Sequence, residues 1–214
     1  MLVDWRQRYI DAMYGISHDL GAPLRHIESF ADLLLDEPMT DEQHKMLSHI
    51  RDAGAQARAQ MAGLLKLSRL YSEHAAQADE QTELSWAELV QGLQQMGFAA
   101  PSFAAPSWQF RVNLGHLISV LRELIANAER FGGGALTAID RDEARLTLLV
   151  CNASGGLSDD QWHRALRPLD RLGKLSSTEH PGMGLTLTAA WCELQGITLR
   201  HRGGEVALDI HPQN

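Results

Sequence analysis

The chain lacks the features that mark membrane-spanning, disulfide-stabilised and nucleic-acid-binding proteins. It has no run of about eighteen apolar residues and no signal-peptide pattern at its start, so we expect a cytoplasmic protein without membrane contact. Its two cysteines, Cys151 and Cys192, lie in apolar segments without metal-ligand spacing, which predicts buried free thiols. The 19 basic residues are outnumbered by 27 acidic ones, and the resulting formal charge of -8 argues against nucleic acid as the main partner.

Two long segments carry apolar residues at three- and four-residue spacing, which is typical of helices with one buried face. The first runs from about Val3 to Leu35 and the second from Thr40 to about Tyr71. Thr40 and Gln43 predict a capping box at the start of the second helix. Because the connector between the two segments is short, the sequence predicts an antiparallel helical hairpin.

The apolar stripes of this hairpin are too broad for two helices to bury against each other. We therefore expect a homodimer in which two hairpins form a four-helix bundle. The alternative is a hairpin that packs only on the rest of its own chain. In the first helix the predicted buried stripe consists of Tyr9, Ile10, Met13, Ile16, Leu20, Leu24, Ile27, Ala31, Leu34 and Leu35.

A polar connector over residues 76–82 follows the hairpin and precedes a region of mixed helix and strand. We predict a helical domain over residues 1–75 and a second domain over residues 83–214. The element order predicts an α+β protein whose second domain is a two-layer α/β sandwich with a mainly antiparallel or mixed sheet. The predicted elements of that domain are helices over 85–96, 113–131, from 158 and over 184–194, and strands over 108–112, 135–139, 145–151, 197–201 and 206–210.

His18 lies off the apolar stripe of the first helix, so we expect its imidazole to face solvent. A neutral imidazole is a good nitrogen nucleophile, and Asp19 beside it can hold its tautomer or take up its proton. Pro23 follows five residues later and removes one backbone donor from the helix. These residues favour a phosphoryl acceptor. The alternative is a surface histidine on a helix with an incidental proline.

Glu123 and Asn127 are four residues apart in a predicted helix, so their side chains share one face. Carboxylate and carboxamide oxygens suit hard cations, and the pair could therefore engage a metal-bound phosphate group. The alternative is an ordinary surface pair of polar residues.

Two segments resemble motifs of sensor histidine kinases. The segment around His18 resembles their H-box, roughly His-Glu/Asp-Leu-Arg-x-Pro-Leu, and departs from it at Gly21 and Ala22. The segment from Glu123 to Phe131 resembles their N-box at every defining position. The order of the two segments implies the family's dimerisation and phosphoacceptor hairpin followed by an ATPase-like domain of the GHKL, or Bergerat, type.

The resemblance implies a role for Asn127 in the second segment, and it reveals substitutions in a third segment, around Asn152. In the family, an asparagine at the position of Asn127 binds the magnesium ion that bridges the nucleotide phosphates. Asn152, however, stands where the family has the aspartate that accepts a hydrogen bond from the adenine amino group, and Ser154 replaces the first glycine of that motif. Loss of a charge-assisted hydrogen bond costs about 1.5–3 kcal/mol, which weakens ATP binding roughly ten- to a hundredfold.

The later glycine motif is also incomplete. Residues 182–185 match the second half of this motif. His180 and Pro181 stand directly before them, where the family has a glycine turn. We therefore predict a vestigial or weak nucleotide site and no cofactor, with magnesium at Asn127 only if ATP binds. The residues assigned to this site are Glu123, Asn127, Asn152, Gly156, Gly182 and Gly184.

The leading interpretation is a phosphorelay protein that resembles a sensor kinase but does not use ATP. His18 would accept a phosphoryl group from the aspartyl phosphate of one response-regulator receiver domain and donate it to another, while Asp19 orients or deprotonates the imidazole. Proteins of this kind are sensorless and begin almost at the first hairpin helix, as this chain does at Met1.

Two alternatives stay open. If Met1 is only a boundary within a longer protein, the chain is an active kinase core that phosphorylates His18 from Mg-ATP, and the matching Glu123 and Asn127 support this view. The third interpretation is a non-catalytic dimerisation or inhibitory module, which the pairing of His18 with Asp19 argues against.

Overall fold

The structure is a computed structural model that describes residues 5–76, 83–141, 145–153, 156–170 and 182–211. It divides into two compact units. One consists of Met1–Ser72 with Pro168–Met183, and the other of Glu73–Arg167 with Gly184–Asn214.

Some predictions fall on residues outside the described ranges. These residues are Ser154, His180, Pro181 and positions 77–82 of the predicted connector. The domain boundaries given above therefore stay predictions. Within the described ranges, no helix is both long and apolar enough to cross a membrane.

Two long helices, α1 (Trp5–Leu35) and α2 (Asp41–Ala76), make up the N-terminal region. Helix α2 begins at the predicted capping box. The Thr40 N–H donates to Oε1 of Gln43 at 2.9 Å, and the Gln43 N–H donates to the Thr40 hydroxyl at 3.3 Å. These two bonds satisfy amides that a helix end leaves without partners, and they explain why the chain starts a new helix here.

The two helices contact each other as an antiparallel hairpin, which confirms the prediction. The guanidinium of Arg58 donates to both carboxylate oxygens of Glu28, with Nε–Oε1 at 2.9 Å and Nη2–Oε2 at 3.0 Å. At the same level, a Cβ at Gly54 would lie only 3.2 Å from Cγ of Glu28. Gly54 therefore permits a close approach of the helices where the ion pair joins them.

The predicted apolar stripe of α1 is only partly buried in a single chain. Ala31 is buried, but Ile16, Leu20, Ile27 and Leu34 are between 43% and 50% exposed. This exposure agrees with the expectation that the stripe is too broad for the two helices of one chain to bury. Other large apolar side chains exposed on the two helices are Tyr14, Phe30, Leu33, Met46, Ile50 and Tyr71.

The second unit is a helix layer packed on an antiparallel sheet. Its elements are α3 (Trp86–Gln94), α4 (Leu114–Phe131), α5 (Asp159–Ala165), α6 (Gly184–Gln195), β1 (Glu83–Leu84), β2 (Phe110–Arg111), β3 (Ala135–Arg141), β4 (Leu146–Asn152), β5 (Thr198–Arg202) and β6 (Glu205–Ile210). Strands β3 to β6 form a four-stranded sheet in the order β3-β4-β6-β5, and β1 pairs antiparallel with β2. Helix α4 contacts β3 and β4, while α6 contacts β5 and α4. The predicted α+β class and two-layer sandwich are confirmed.

The core between these layers follows from the two periodicities of the sequence. Buried residues of α4 recur at three- and four-residue spacing, and those of β4 that face the same side recur at every second position. They are Leu117, Val120, Leu121, Leu124 and Ala128 on α4, and Leu146, Leu148 and Val150 on β4. Local capping fixes the helix starts, through Ser85 for α3, Asn113 for α4 and Ser158 for α5.

Three details differ from the sequence prediction. The strand expected over 108–112 is reduced to Phe110–Arg111, and its partner β1 was not predicted. Strand β3 continues to Arg141 instead of ending at 139. Strands β1 and β2 have only two residues each, which is too short for an alternating pattern that the sequence could reveal. Of the two cysteines expected to be buried, Cys192 is buried, and burial raises its thiol pKa to about 12, whereas Cys151 is only half-buried.

A buried carboxylate ties three strands of the sheet together. Asp209 of β6 lies directly across from Thr147 of β4 and Thr198 of β5. Its Oδ1 accepts from the Thr147 hydroxyl at 2.8 Å and from Nη2 of Arg200 at 2.8 Å, while Arg145 approaches its Oδ2 at 3.5 Å. Burial acts to raise the pKa of Asp209, but the hydrogen bonds and positive charges outweigh it and hold the pKa below its usual value.

We predict that Asp209→Asn destabilises the second unit by about 1–3 kcal/mol, because hydrogen bonds to a buried charged group are lost. A lowered pKa in the folded state means that the carboxylate stabilises the fold above its unfolded pKa of about 3.9. That contribution disappears as the pH falls through the lower folded pKa. Urea unfolding between pH 2 and 7 should therefore show less acid sensitivity in the variant. Asp140→Asn, at an exposed position of β3, is the control, and equal effects of the two substitutions would contradict the prediction.

We also predict that the hairpin self-associates, because exposed apolar side chains along α1 gain about 25 cal/mol for each Å² that a second copy covers. Light scattering at tens of micromolar should give about twice the mass of one 214-residue chain. Replacing Leu20 and Ile27 together by aspartate should shift the protein toward the monomer while preserving helix content. A wild-type protein with the mass of one chain would overturn the prediction.

Candidate functional site

His18 projects from α1 into solvent, with its side chain 76% exposed. Helix α1 is continuous through Pro23, so the histidine is held on helical backbone on both sides. Nδ1 of its ring lies 3.1 Å from Oδ1 of Asp19, whose own side chain is 81% exposed. The predicted solvent-facing histidine with an adjacent carboxylate is thus present in the structure.

The contact with Asp19 determines which ring nitrogen of His18 is available for chemistry. A carboxylate only accepts hydrogen bonds, so in the neutral ring Nδ1 carries the proton and Nε2 keeps its lone pair. Nε2 is therefore the ring nitrogen with a free lone pair, on a side chain that is open to solvent. If Nε2 attacked an electrophile, the Asp19 carboxylate would stabilise the positive charge that develops on the ring.

The second group of predicted site residues meets between α4 and α6. The amide nitrogen of Asn127 donates to Oε1 of Glu123 at 3.4 Å, and both side chains are half-buried. The Glu123 carboxylate also lies against Gly184, the first residue of α6. A Cβ at position 184 would overlap Oε1 and Cδ of Glu123, so a side chain there would require the Glu123 carboxylate to move.

Asn152, at the end of β4, lies beside the other end of α4. A Cβ added at Gly132, which caps α4, would fall 2.7 Å from Oδ1 of Asn152. The backbone N–H of Asn152 donates to the carbonyl of Gly204 at 2.7 Å. The side chain of Asn152 therefore packs on the C-terminal end of the helix that carries Glu123 and Asn127.

The remaining glycines of the predicted site differ in their surroundings. Gly156 packs against the turn between β5 and β6, where a Cβ would overlap the backbone of Gly203 and Gly204. Gly182 has a φ of 73°, a backbone conformation that favours glycine. Gly132, Gly203 and Gly204 were not among the predicted site residues, although the glycine run after α4 and the glycine pair between β5 and β6 are visible in the sequence.

The predicted site residues thus form separate groups. His18 and Asp19 pair on α1, Glu123 and Asn127 meet Gly184, and Asn152 contacts Gly132. In the described parts of the chain, no cluster of three or more histidine, cysteine or acidic side chains is arranged to hold a metal ion.

Comparisons with known proteins agree with this architecture. The chain is 26% identical over 212 residues to the two-component sensor PhoQ of Pseudomonas aeruginosa. This match covers 95% of this chain and 44% of PhoQ. The structure of full-length ShkA in complex with AMPPNP matches with a TM-score of 0.57 and 20% identity, over 94% of this chain and 45% of that one. The histidine kinase AdeS of Acinetobacter baumannii matches with a TM-score of 0.48 and 17% identity, over 92% of this chain and 98% of that one.

No protein-family model matches the sequence. The chain spans less than half the length of PhoQ and of full-length ShkA. Its similarity to PhoQ nevertheless extends over both of its units, and the fold of ShkA covers the same extent. The chain is therefore similar in sequence to a two-component sensor across both of its units, and it shares the fold of full-length ShkA over the same extent.

Proposed function

We propose that the protein is a dimeric phosphorelay component in which His18 accepts a phosphoryl group from a response-regulator receiver domain and passes it to another. The observation that carries this proposal is the exposed imidazole of His18, whose Nδ1 lies 3.1 Å from Asp19. Exposure admits a protein partner to the ring, and the hydrogen bond leaves Nε2 as the nucleophile.

The transfer step needs few protein groups. Nε2 of His18 attacks the phosphorus of a receiver aspartyl phosphate, the N–P bond forms, and the O–P bond breaks to release the aspartate carboxylate. The Asp19 carboxylate offsets the positive charge on the phosphorylated ring. Phosphoryl transfer depends mainly on positioning and charge stabilisation, and the receiver supplies magnesium and further charged groups. The reverse reaction delivers the phosphoryl group to a second receiver.

One residue supports weak or absent binding of Mg-ATP. Asn152 lacks the charge with which the family's aspartate accepts a hydrogen bond from the adenine amino group, and loss of a charge-assisted bond weakens binding. In the structure the side chain of Asn152 packs on Gly132, at the C-terminal end of α4.

An active histidine kinase is the second candidate. The observation that favours it is the half-buried pair of Glu123 and Asn127, which matches the family's N-box in residue type and shares one face of α4. In this reading Asn127 holds magnesium and His18 is phosphorylated from ATP, so the source of the phosphoryl group separates the two candidates.

We predict that His18→Gln abolishes phosphoryl acceptance without affecting the fold, because the replaced side chain is exposed and glutamine has no nucleophilic nitrogen. The measurement is incubation with a receiver domain charged by labelled acetyl phosphate, followed by detection of acid-labile, base-stable label on the protein. His26→Gln, which changes another exposed histidine of α1, is the control and should keep the label. If the His18 variant were labelled as strongly as the wild-type protein, the phosphoryl acceptor would be another residue. If the wild-type protein were not labelled, a non-catalytic module would be favoured.

We further predict that Mg-ATP does not measurably stabilise the protein. With about 1 mM ligand and a Kd near 10 mM, the stabilisation is below about 0.1 kcal/mol, too small to shift the melting temperature. Restoring Asn152→Asp together with Ser154→Gly should return part of the binding if the rest of the site is intact. A clear thermal shift of the wild-type protein, together with transfer of label from γ-labelled ATP to His18, would overturn the proposal and establish the kinase.

A further inference from the structure

His18 shares one face of α1 with an arginine two turns further along the helix. Arg25 follows His18 by seven positions, so at 3.6 residues per turn it points within about 20° of the same direction. Gly21 and Ala22, which follow His18 by three and four positions, lie between the two on this face. They contribute a hydrogen atom and a methyl group, so the helix surface between the imidazole and the Arg25 side chain is open.

The side chain of Arg25 folds back along α1 toward His18. Long side chains of a helix lean toward its N-terminus, and a Cβ added at Gly21 would lie 3.4 Å from Nη1 of Arg25. The guanidinium therefore lies over Gly21, and Gly21 precedes Arg25 by about one turn in the direction of His18. The chain departs from the H-box at this position, where that motif has an arginine. Arg25 thus brings a positive charge to the face of His18 that has lost one at position 21.

The guanidinium of Arg25 is exposed and available to an anion. Within the described residues no carboxylate pairs with it, in contrast to the guanidinium of Arg58, which pairs with Glu28. A phosphoryl group on Nε2 of His18 would carry roughly two negative charges and would be repelled by the Asp19 carboxylate, which lies 3.1 Å from Nδ1. An arginine offers two parallel N–H donors to phosphate oxygens, and its charge offsets this repulsion.

We propose that Arg25 is a phosphate-binding residue of the acceptor site, which holds the phosphoryl group on Nε2 of His18. The contact persists after the donor receiver has left with its magnesium ion, so Arg25 shifts the transfer equilibrium toward phosphohistidine. This inference rests on the proposed function, since it names the residue that stabilises the phosphoryl group between the two receivers.

The test measures the equilibrium constant for transfer of labelled phosphate from a receiver domain to the full chain. Because the receiver is the same in every reaction, a change in this constant reports how the phosphoryl group interacts with this protein. Arg25→Gln should lower the constant about fivefold at low ionic strength, and the difference should shrink at about 0.5 M salt, which screens exposed charges. Arg25→Lys keeps the charge and should retain most of the wild-type constant. Arg8→Gln, at another exposed arginine of α1, is the matched control and should leave the constant unchanged.

Two results would overturn the inference and leave the phosphorelay function standing. One is an equal constant for Arg25→Gln and the wild type. The other is a variant that reaches the same equilibrium more slowly, since Arg25 would then only dock the receiver. Both substitutions of Arg25 replace an exposed side chain, so circular dichroism should show unchanged helix content.

Absence of transfer from the receiver to the wild type would overturn the proposed function, and a second measurement then decides the inference. Phosphoramidate phosphorylates imidazoles without a receiver, and phosphorus NMR identifies the signal of His18 as the one that His18→Gln lacks. A neighbouring guanidinium favours the doubly charged phosphoryl group, so the pKa of this group should be lower in the wild type than in Arg25→Gln. Equal pKa values would overturn the inference as well.

Discussion

The candidate nucleotide region depends on the packing of α4 against α6. Where the two helices meet, the carboxylate of Glu123 lies against Gly184 and accepts the amide of Asn127 at 3.4 Å. A side chain at position 184 would require the Glu123 side chain to move. Three predicted site residues from distant parts of the sequence are thus brought together by one contact between helices.

The two units obtain their stability in different ways. The second unit buries its own core between helices and sheet and ties β4, β5 and β6 together through the carboxylate of Asp209. In the hairpin an ion pair between Glu28 and Arg58 joins the two helices, while large apolar side chains such as Leu20 and Phe30 stay exposed. Long helices gain most of their stability from packing of an apolar face. The proposed dimer would cover these exposed side chains and thereby stabilise the hairpin.

Local signals predicted most of this fold. The capping residues Thr40, Ser85 and Ser158 mark helix starts within a few positions, and the periodicity of α4 is sufficient by itself to identify the buried face of that helix. The contact of Glu123 with Gly184 joins distant parts of the chain, so no local pattern contains it. The exposure of Leu20 in one chain follows from the breadth of the predicted stripe, but the sequence marks a side chain for burial without saying which chain will cover it.

The chemistry assigned to His18 needs nothing from the region around Glu123. His18, its hydrogen-bonded carboxylate and the helix that holds them all lie in α1, and in the proposed transfer a receiver would bring both the phosphoryl group and its metal. Loss of charge at Asn152 would therefore weaken ATP as a phosphoryl donor without disturbing the acceptor. An ATPase-like fold can persist in such a protein because its sheet, its core and the close packing at Gly184 are stabilised by the chain's own contacts.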